Sequence, residues 1–171
     1  MQQNVIENEF TREYAPLAKI QPGMAIEFKN KIANDLYLDL NNSRLHVITK
    51  ITKTDGTTID TNSAAQINFT LHSMFREIKL KFNGQNVGYT IQLYPYRSVL
   101  ENLLNCCKED QETCFLSEGW KNKTSGHINL TAIAGNNAGL SACAATFARS
   151  TLVELIDPPH LDFFHQERLI P

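Results

Sequence analysis

Asn83-Gly84 is the feature that most narrows what this chain can fold into. Before it Ile78, Leu80 and Phe82 alternate with Glu77, Lys79 and Lys81; after it come Val87, Tyr89 and Ile91. Asn-Gly readily accepts the two positive φ angles of a type I′ turn, and side chains alternating at period two on both flanks belong to strands with one buried face. A β-hairpin follows. Period-two alternation recurs in Met24, Ile26 and Phe28, in Leu45, Val47, Thr49 and Ile51, and in Thr151, Val153 and Leu155. Asp55-Gly56 closes the second of these runs with a turn.

Against this background one segment reads as helix. Over 95–107, Tyr96, Val99, Leu100, Leu103, Leu104 and Cys107 fall at i, i+3, i+4, i+7, i+8 and i+11, with Pro95 suited to the first helical position. That face is expected to pack, with Arg97 and Glu101 on the other. Ile67 to Phe75 is ambiguous: Leu71, Met74 and Phe75 have helical spacing, and Thr70 could cap a single turn. Gly119-Trp120 sits in a loop rich in turn formers. A small-residue stretch covers 132–145, within which Gly135-Asn136-Asn137-Ala138-Gly139 reads as loop, and Leu161 to Ile170 is a last strand-like run.

Many short strands, one inserted helix and no alternating β-α units predict a mainly β fold, an antiparallel jelly-roll sandwich. Such a roll needs about eight strands; the residues supply six or seven, so the last strand is expected outside this chain. Residues 1–13 are expected to form a flexible arm and 14–171 a single domain, since 171 residues support one well-buried core.

The charge pattern excludes several functions. Sixteen Lys and Arg are scattered among eighteen acids, without the clustered basic face that specific nucleic-acid binding requires. No apolar run reaches the length that spans a bilayer, and the acidic start lacks the features of a secretory signal. Synthesis in the cytosol is expected, so Cys106, Cys107, Cys114 and Cys143 are expected as reduced, mostly buried thiols rather than a disulfide frame. Cys106, Cys107 and Cys114 with His127 could in principle hold zinc, but Cys107 already serves the helix's apolar face. His160 and His165, five residues apart beside two prolines, read as turn and surface residues. There is no nucleophile elbow and no phosphate-cradling loop. The expectation is no enzyme, no cofactor and no metal.

In order along the chain, several segments carry a family resemblance. They are Tyr37-Leu38-Asp39-Leu40 leading into Leu45-His46-Val47, Lys53-Thr54-Asp55-Gly56, Leu71-His72-Ser73-Met74-Phe75, and Leu80-Lys81-Phe82-Asn83-Gly84. Tyr94-Pro95-Tyr96-Arg97 with Leu103-Leu104, Gly119-Trp120, and Phe163-Phe164-His165-Gln166-Glu167-Arg168-Leu169 continue the series. From about Pro16 onward the chain resembles the first barrel of the double jelly-roll major capsid proteins of Polinton (Maverick) elements and adintoviruses, in the hexon-like lineage. The resemblance implies trimers that tile an icosahedral shell, self and other capsid proteins as partners, and location in a virion assembled from cytoplasmic synthesis.

Three residues are candidate contacts. Trp120 either anchors its loop on the core, its indole N–H on backbone, or stands at a trimer contact. Phe163 and Phe164, adjacent on an expected strand, must face opposite ways, so one looks outward. A lectin-like jelly roll using Trp120 and nearby asparagines is the rival reading.

Overall fold

A computed structural model describes residues 8–21, 23–32, 36–61, 63–88, 92–107, 109, 112–122, 127, 132–133, 135–167 and 169–170. The chain divides into two compact units, residues 1–38 with 169–171, and residues 39–168.

In the first unit the described chain is extended. Leu17 N–H donates to Glu27 O (2.8 Å), and Leu38 and Ile170 form an antiparallel bridge through reciprocal bonds of 2.7 and 2.9 Å. The strand expected over Met24 to Phe28 does not form. Met24, Ile26 and Phe28 are all exposed, because among the described residues the bond from Leu17 to Glu27 is not extended into a ladder and their alternation has no surface to cover.

Among its described residues the second unit carries four strands in two small antiparallel sheets. The strands are β1 (Leu45–Thr49), β2 (Leu80–Phe82), β3 (Gln85–Val87) and β4 (Val153–Asp157). β2 and β3 are the hairpin, and Asn83 and Gly84 take φ of 49° and 82°, the two positive angles that the turn demands. Tyr89 and Ile91 lie outside the described residues. β1 pairs with β4 across more than a hundred residues, Val47 opposite Leu155. On its inner side Leu155 is buried and Leu45 and Val47 are half-buried; on the other, Ile48 and Ile156 are exposed and His46 pairs with Glu154 at 2.8 Å. Gly56 N–H closes the expected turn onto Lys53 O.

Among the described residues lie the helices α1 (Thr70–Ser73), α2 (Tyr94–Asn105) and α3 (Ala138–Thr146). In α1, Thr70 is not the cap. Its hydroxyl donates back to Ile67 O, and the capping position is Phe69 at φ 56°, a left-handed conformation costly for an aromatic residue. Burial holds it there, with the Phe69 ring 5.1 Å from Phe115 and 4.8 Å from Trp120. α2 opens one residue before Pro95, which therefore occupies its second position, where a missing N–H is equally harmless.

α3 corrects the loop reading of 135–139. Alanines need no apolar stripe to favour helix, and Asn137 caps the start by accepting the Leu140 N–H. The strand-like reading of Leu161 to Ile170 is also corrected: Asp162–His165 is a 3-10 turn. Further 3-10 turns cover Cys114–Glu118 and Ala148–Ser150. The core gathers Phe69, Leu71, Tyr94, Phe115, Cys143, Ala144, Phe147 and Leu155. No helix among the described residues is long and apolar enough to cross a membrane.

Candidate functional site

α2 is a helix whose apolar stripe faces away from the fold. Tyr96 is 70% exposed and Leu104 79%, with Leu100 and Leu103 also exposed. The residues that turn inward are Tyr94, Ser98 and Asn102, spaced i, i+4 and i+8, flanked by half-buried Arg97 and Glu101. This reverses the expected packing of the helix. The inversion is stable because Tyr94, Asn102 and Glu101 meet partners that would otherwise be buried alone, while Ser98 Oγ donates to Pro95 O within the helix.

Those partners come from four separate elements. α1 supplies His72, the end of the Cys114–Glu118 turn supplies Glu118, and the last residue of β4 is Asp157. After Pro158-Pro159, whose rings forbid further ladder bonding, comes His160. The Tyr94 hydroxyl donates to His72 Nδ1 (2.8 Å) and accepts the His160 backbone N–H (3.1 Å). His72 Nε2–H donates to Asp157 Oδ2 (2.8 Å), and Asn102 Nδ2 donates to Glu118 Oε2 (2.8 Å). His160 Nδ1–H donates to Glu101 Oε2 (2.8 Å), and Arg97 Nε–H to Glu101 Oε1 (2.9 Å); Arg97 also binds Asp162. His72, Glu118 and His160 are almost wholly buried, Asp157 nearly so.

Burial governs the charge state. It pushes the His72 imidazole below its ordinary value despite the pull of Asp157, so His72 is neutral. Burial alone would raise Asp157, but the facing imidazoles of His160 and His72 outweigh it and hold the carboxyl below its ordinary range. Glu118 is pushed up to about 8 by burial and by the neighbouring Asp157 charge, and Tyr94 is pushed up by burial. Glu118 is therefore a neutral acid at pH 7, and its 3.6 Å approach to His72 is not an ion pair.

A pH-dependent stability follows. Between the ordinary value of 4.5 and about 8 the folded chain holds a proton on Glu118 that the unfolded chain releases. Stability therefore falls as pH rises through that window. In chelator, Glu118→Gln should remove this fall, worth on the order of 3 kcal/mol between pH 5 and 8, as followed by urea denaturation at each pH. An unchanged slope would place the titrating group elsewhere.

The sequence-level candidates lie apart from this cluster. Trp120 packs on Phe69 and Phe115, and its indole N–H donates to Asn122 Oδ1 rather than to backbone. Phe163 and Phe164 are half-buried in a 3-10 turn, not opposed on a strand, and Phe163 lies edge-on to Phe82 at 5.8 Å. Cys143 is buried as expected, Cys106 is half-buried and Cys107 exposed; the Cys114 side chain lies outside the description. His165 is the surface residue expected, but His160 is buried.

Periodicity gives no sign of His72, Glu118 or Asp157 as a group, since they come together only in three dimensions. The one available signal is Asp157-Pro158-Pro159-His160, two polar residues held at fixed separation by a rigid pair. Neither the protein-family models, nor the curated proteins, nor the solved structures include a match to this chain.

Proposed function

We propose that this chain is a structural assembly protein, a jelly-roll capsid module that packs against copies of itself into trimers and an icosahedral shell. The observation that carries the reading is the outward apolar face of α2. Tyr96, Leu100, Leu103 and Leu104 form one exposed stripe, and contiguous apolar surface of this kind marks a protein contact. Its occupant is a neighbouring copy of this chain. Ile48 and Ile156 add exposed apolar side chains on the outer side of the β1–β4 pair, and two-stranded sheets leave backbone edges open to pairing.

Antiparallel pairing of all four described strands is the feature of the fold that favours the jelly-roll reading. β4 returns by a long connection to lie antiparallel beside β1, and β2 and β3 form a separate antiparallel hairpin. The lectin-like reading has less support, because Trp120 packs against two phenylalanines and commits its N–H to Asn122. The test is oligomeric state by light scattering. Assemblies that disperse when the outward leucines of α2 are made acidic support the proposal; a wild-type chain that stays a monodisperse monomer at micromolar concentration overturns it.

A further inference from the structure

We propose that His72, Glu118, Asp157 and His160 form a structural site for one borderline divalent cation, with Zn2+ as the type. One ligand atom from each residue lies within 4.8 Å of all the others. Four ligands about 2.0–2.1 Å from a tetrahedral ion stand roughly 3.3 Å from one another. His160 Nε2 to Asp157 Oδ2 is 3.5 Å and His72 Nε2 to Glu118 Oε2 is 3.6 Å, close to that spacing. His72 Nε2 and Asp157 Oδ2, now hydrogen-bonded at 2.8 Å, would separate by about half an ångström.

A second observation points to a ligand independently of this spacing. The His160 side chain is only 4% exposed, and among the described residues its Nε2 has no hydrogen-bond partner. Its other nitrogen is engaged by Glu101, and Nε2 is aimed into the cluster, 3.5 Å from Asp157 Oδ2. A buried ring nitrogen left without a hydrogen bond is costly, and a cation between it and the Asp157 carboxylate would engage both.

The surroundings have the form that cation sites use. Glu101 orients His160 through Nδ1 and is itself held by Arg97; the Tyr94 hydroxyl can accept from His72 Nδ1–H once Nε2 turns to the ion. Two imidazoles and two carboxyl groups suit a borderline divalent ion, and Asp157 together with Glu118, which gives up its proton as the ion binds, would neutralise its charge. With all four positions taken by buried protein atoms, the site is closed and the ion structural. It would tie α1, β4, the turn ending at Glu118 and the loop at His160 together beneath α2. The site does not depend on whether the outer face of α2 meets a second copy.

The test is titration of the full chain, stripped with chelator, using Zn2+ by calorimetry and Co2+ by visible absorption. The expected result is one ion per chain, a higher melting temperature with the ion, and tetrahedral Co2+ bands without a thiolate charge-transfer band. His160→Gln should lose about 100-fold or more in affinity, and the positioning variant Glu101→Gln about 10-fold. His46→Ala, on the exposed His46–Glu154 pair, should bind as the parent does. Absence of saturable binding by the parent chain overturns the proposal whether or not the variants fold. So does binding that Glu101→Gln and His160→Gln leave untouched, or a thiolate band that assigns the ion to cysteines.

Discussion

Leu100→Glu with Leu104→Glu is expected to leave the chain folded and to weaken its self-association by on the order of 10²–10³-fold. Both side chains are well exposed, so replacing them removes little packing. Glu matches Leu closely in helix propensity, and the carboxylate introduced by Leu104→Glu would lie three residues from Glu101, a like-charge neighbour costing only a few tenths of a kcal/mol. The folding change should stay within about 0.5–1 kcal/mol. At an interface the same substitutions are severe. Burying a leucine contributes about 1.5–3 kcal/mol, and two buried carboxylates without partners add a desolvation cost. Sedimentation or light scattering of parent and variant at matched concentration reads the difference. Equal assembly by the two proteins would show that α2 is not the contact.

The second large effect lies on the opposite face of the same helix. Tyr94→Phe keeps the ring and removes one oxygen that bonds His72 Nδ1 and the His160 backbone N–H, both buried. Each group left without a partner costs about 1–3 kcal/mol, so a loss of roughly 2–4 kcal/mol is expected. Against a total of about 5–15 kcal/mol for a typical domain, that is a large fraction, and it should lower the melting temperature by about 5–15 °C. Chelator is kept present so that no ion compensates. A change below about 0.5 kcal/mol would mean that the hydroxyl does not hold the cluster.

What is legible in the residues divides by range. The Asn83-Gly84 hairpin, β1, β4 and the existence of α2 are specified by neighbours: a turn that needs two positive φ angles, alternation at period two, apolar spacing at three and four. The alternation at Met24, Ile26 and Phe28 is equally clear and forms no strand, since alternation shows which side chains share a face and not whether a partner exists to cover it. α2 carries the same lesson more sharply. Its apolar spacing correctly groups Tyr96, Leu100, Leu103 and Leu104, but the direction in which that group points is decided by His72, Glu118, Asp157 and His160, which arrive from distant parts of the chain.

Two other elements are hidden for local reasons. α3 has alanines on every side and therefore no stripe, and its only readable mark is Asn137 as a cap. Phe163-Phe164 reads as strand, yet after Pro158-Pro159 the chain curls into a 3-10 turn that places Phe163 against Phe82. The buried cluster is the least legible part, because only Asp157 and His160 are near neighbours in sequence, while His72 and Glu118 arrive from distant segments. Buried polar residues are found by where elements meet, and the sequence order alone does not state that.

Tyr94 and Tyr96 give the most direct test of the inverted helix, being chemically identical residues two positions apart, one 1% and the other 70% exposed. Hydroxyl-radical footprinting read by tandem mass spectrometry, on the dispersed Leu100→Glu, Leu104→Glu chain so that no interface shields either ring, compares them within a single peptide. Tyr96 is expected to oxidise at least about tenfold faster than Tyr94, in keeping with a ring in water beside one in a dry core. Equal rates, or faster oxidation of Tyr94, would mean that the polar side of α2 is the outer one, and both the buried cluster and the assembly face would fall with it.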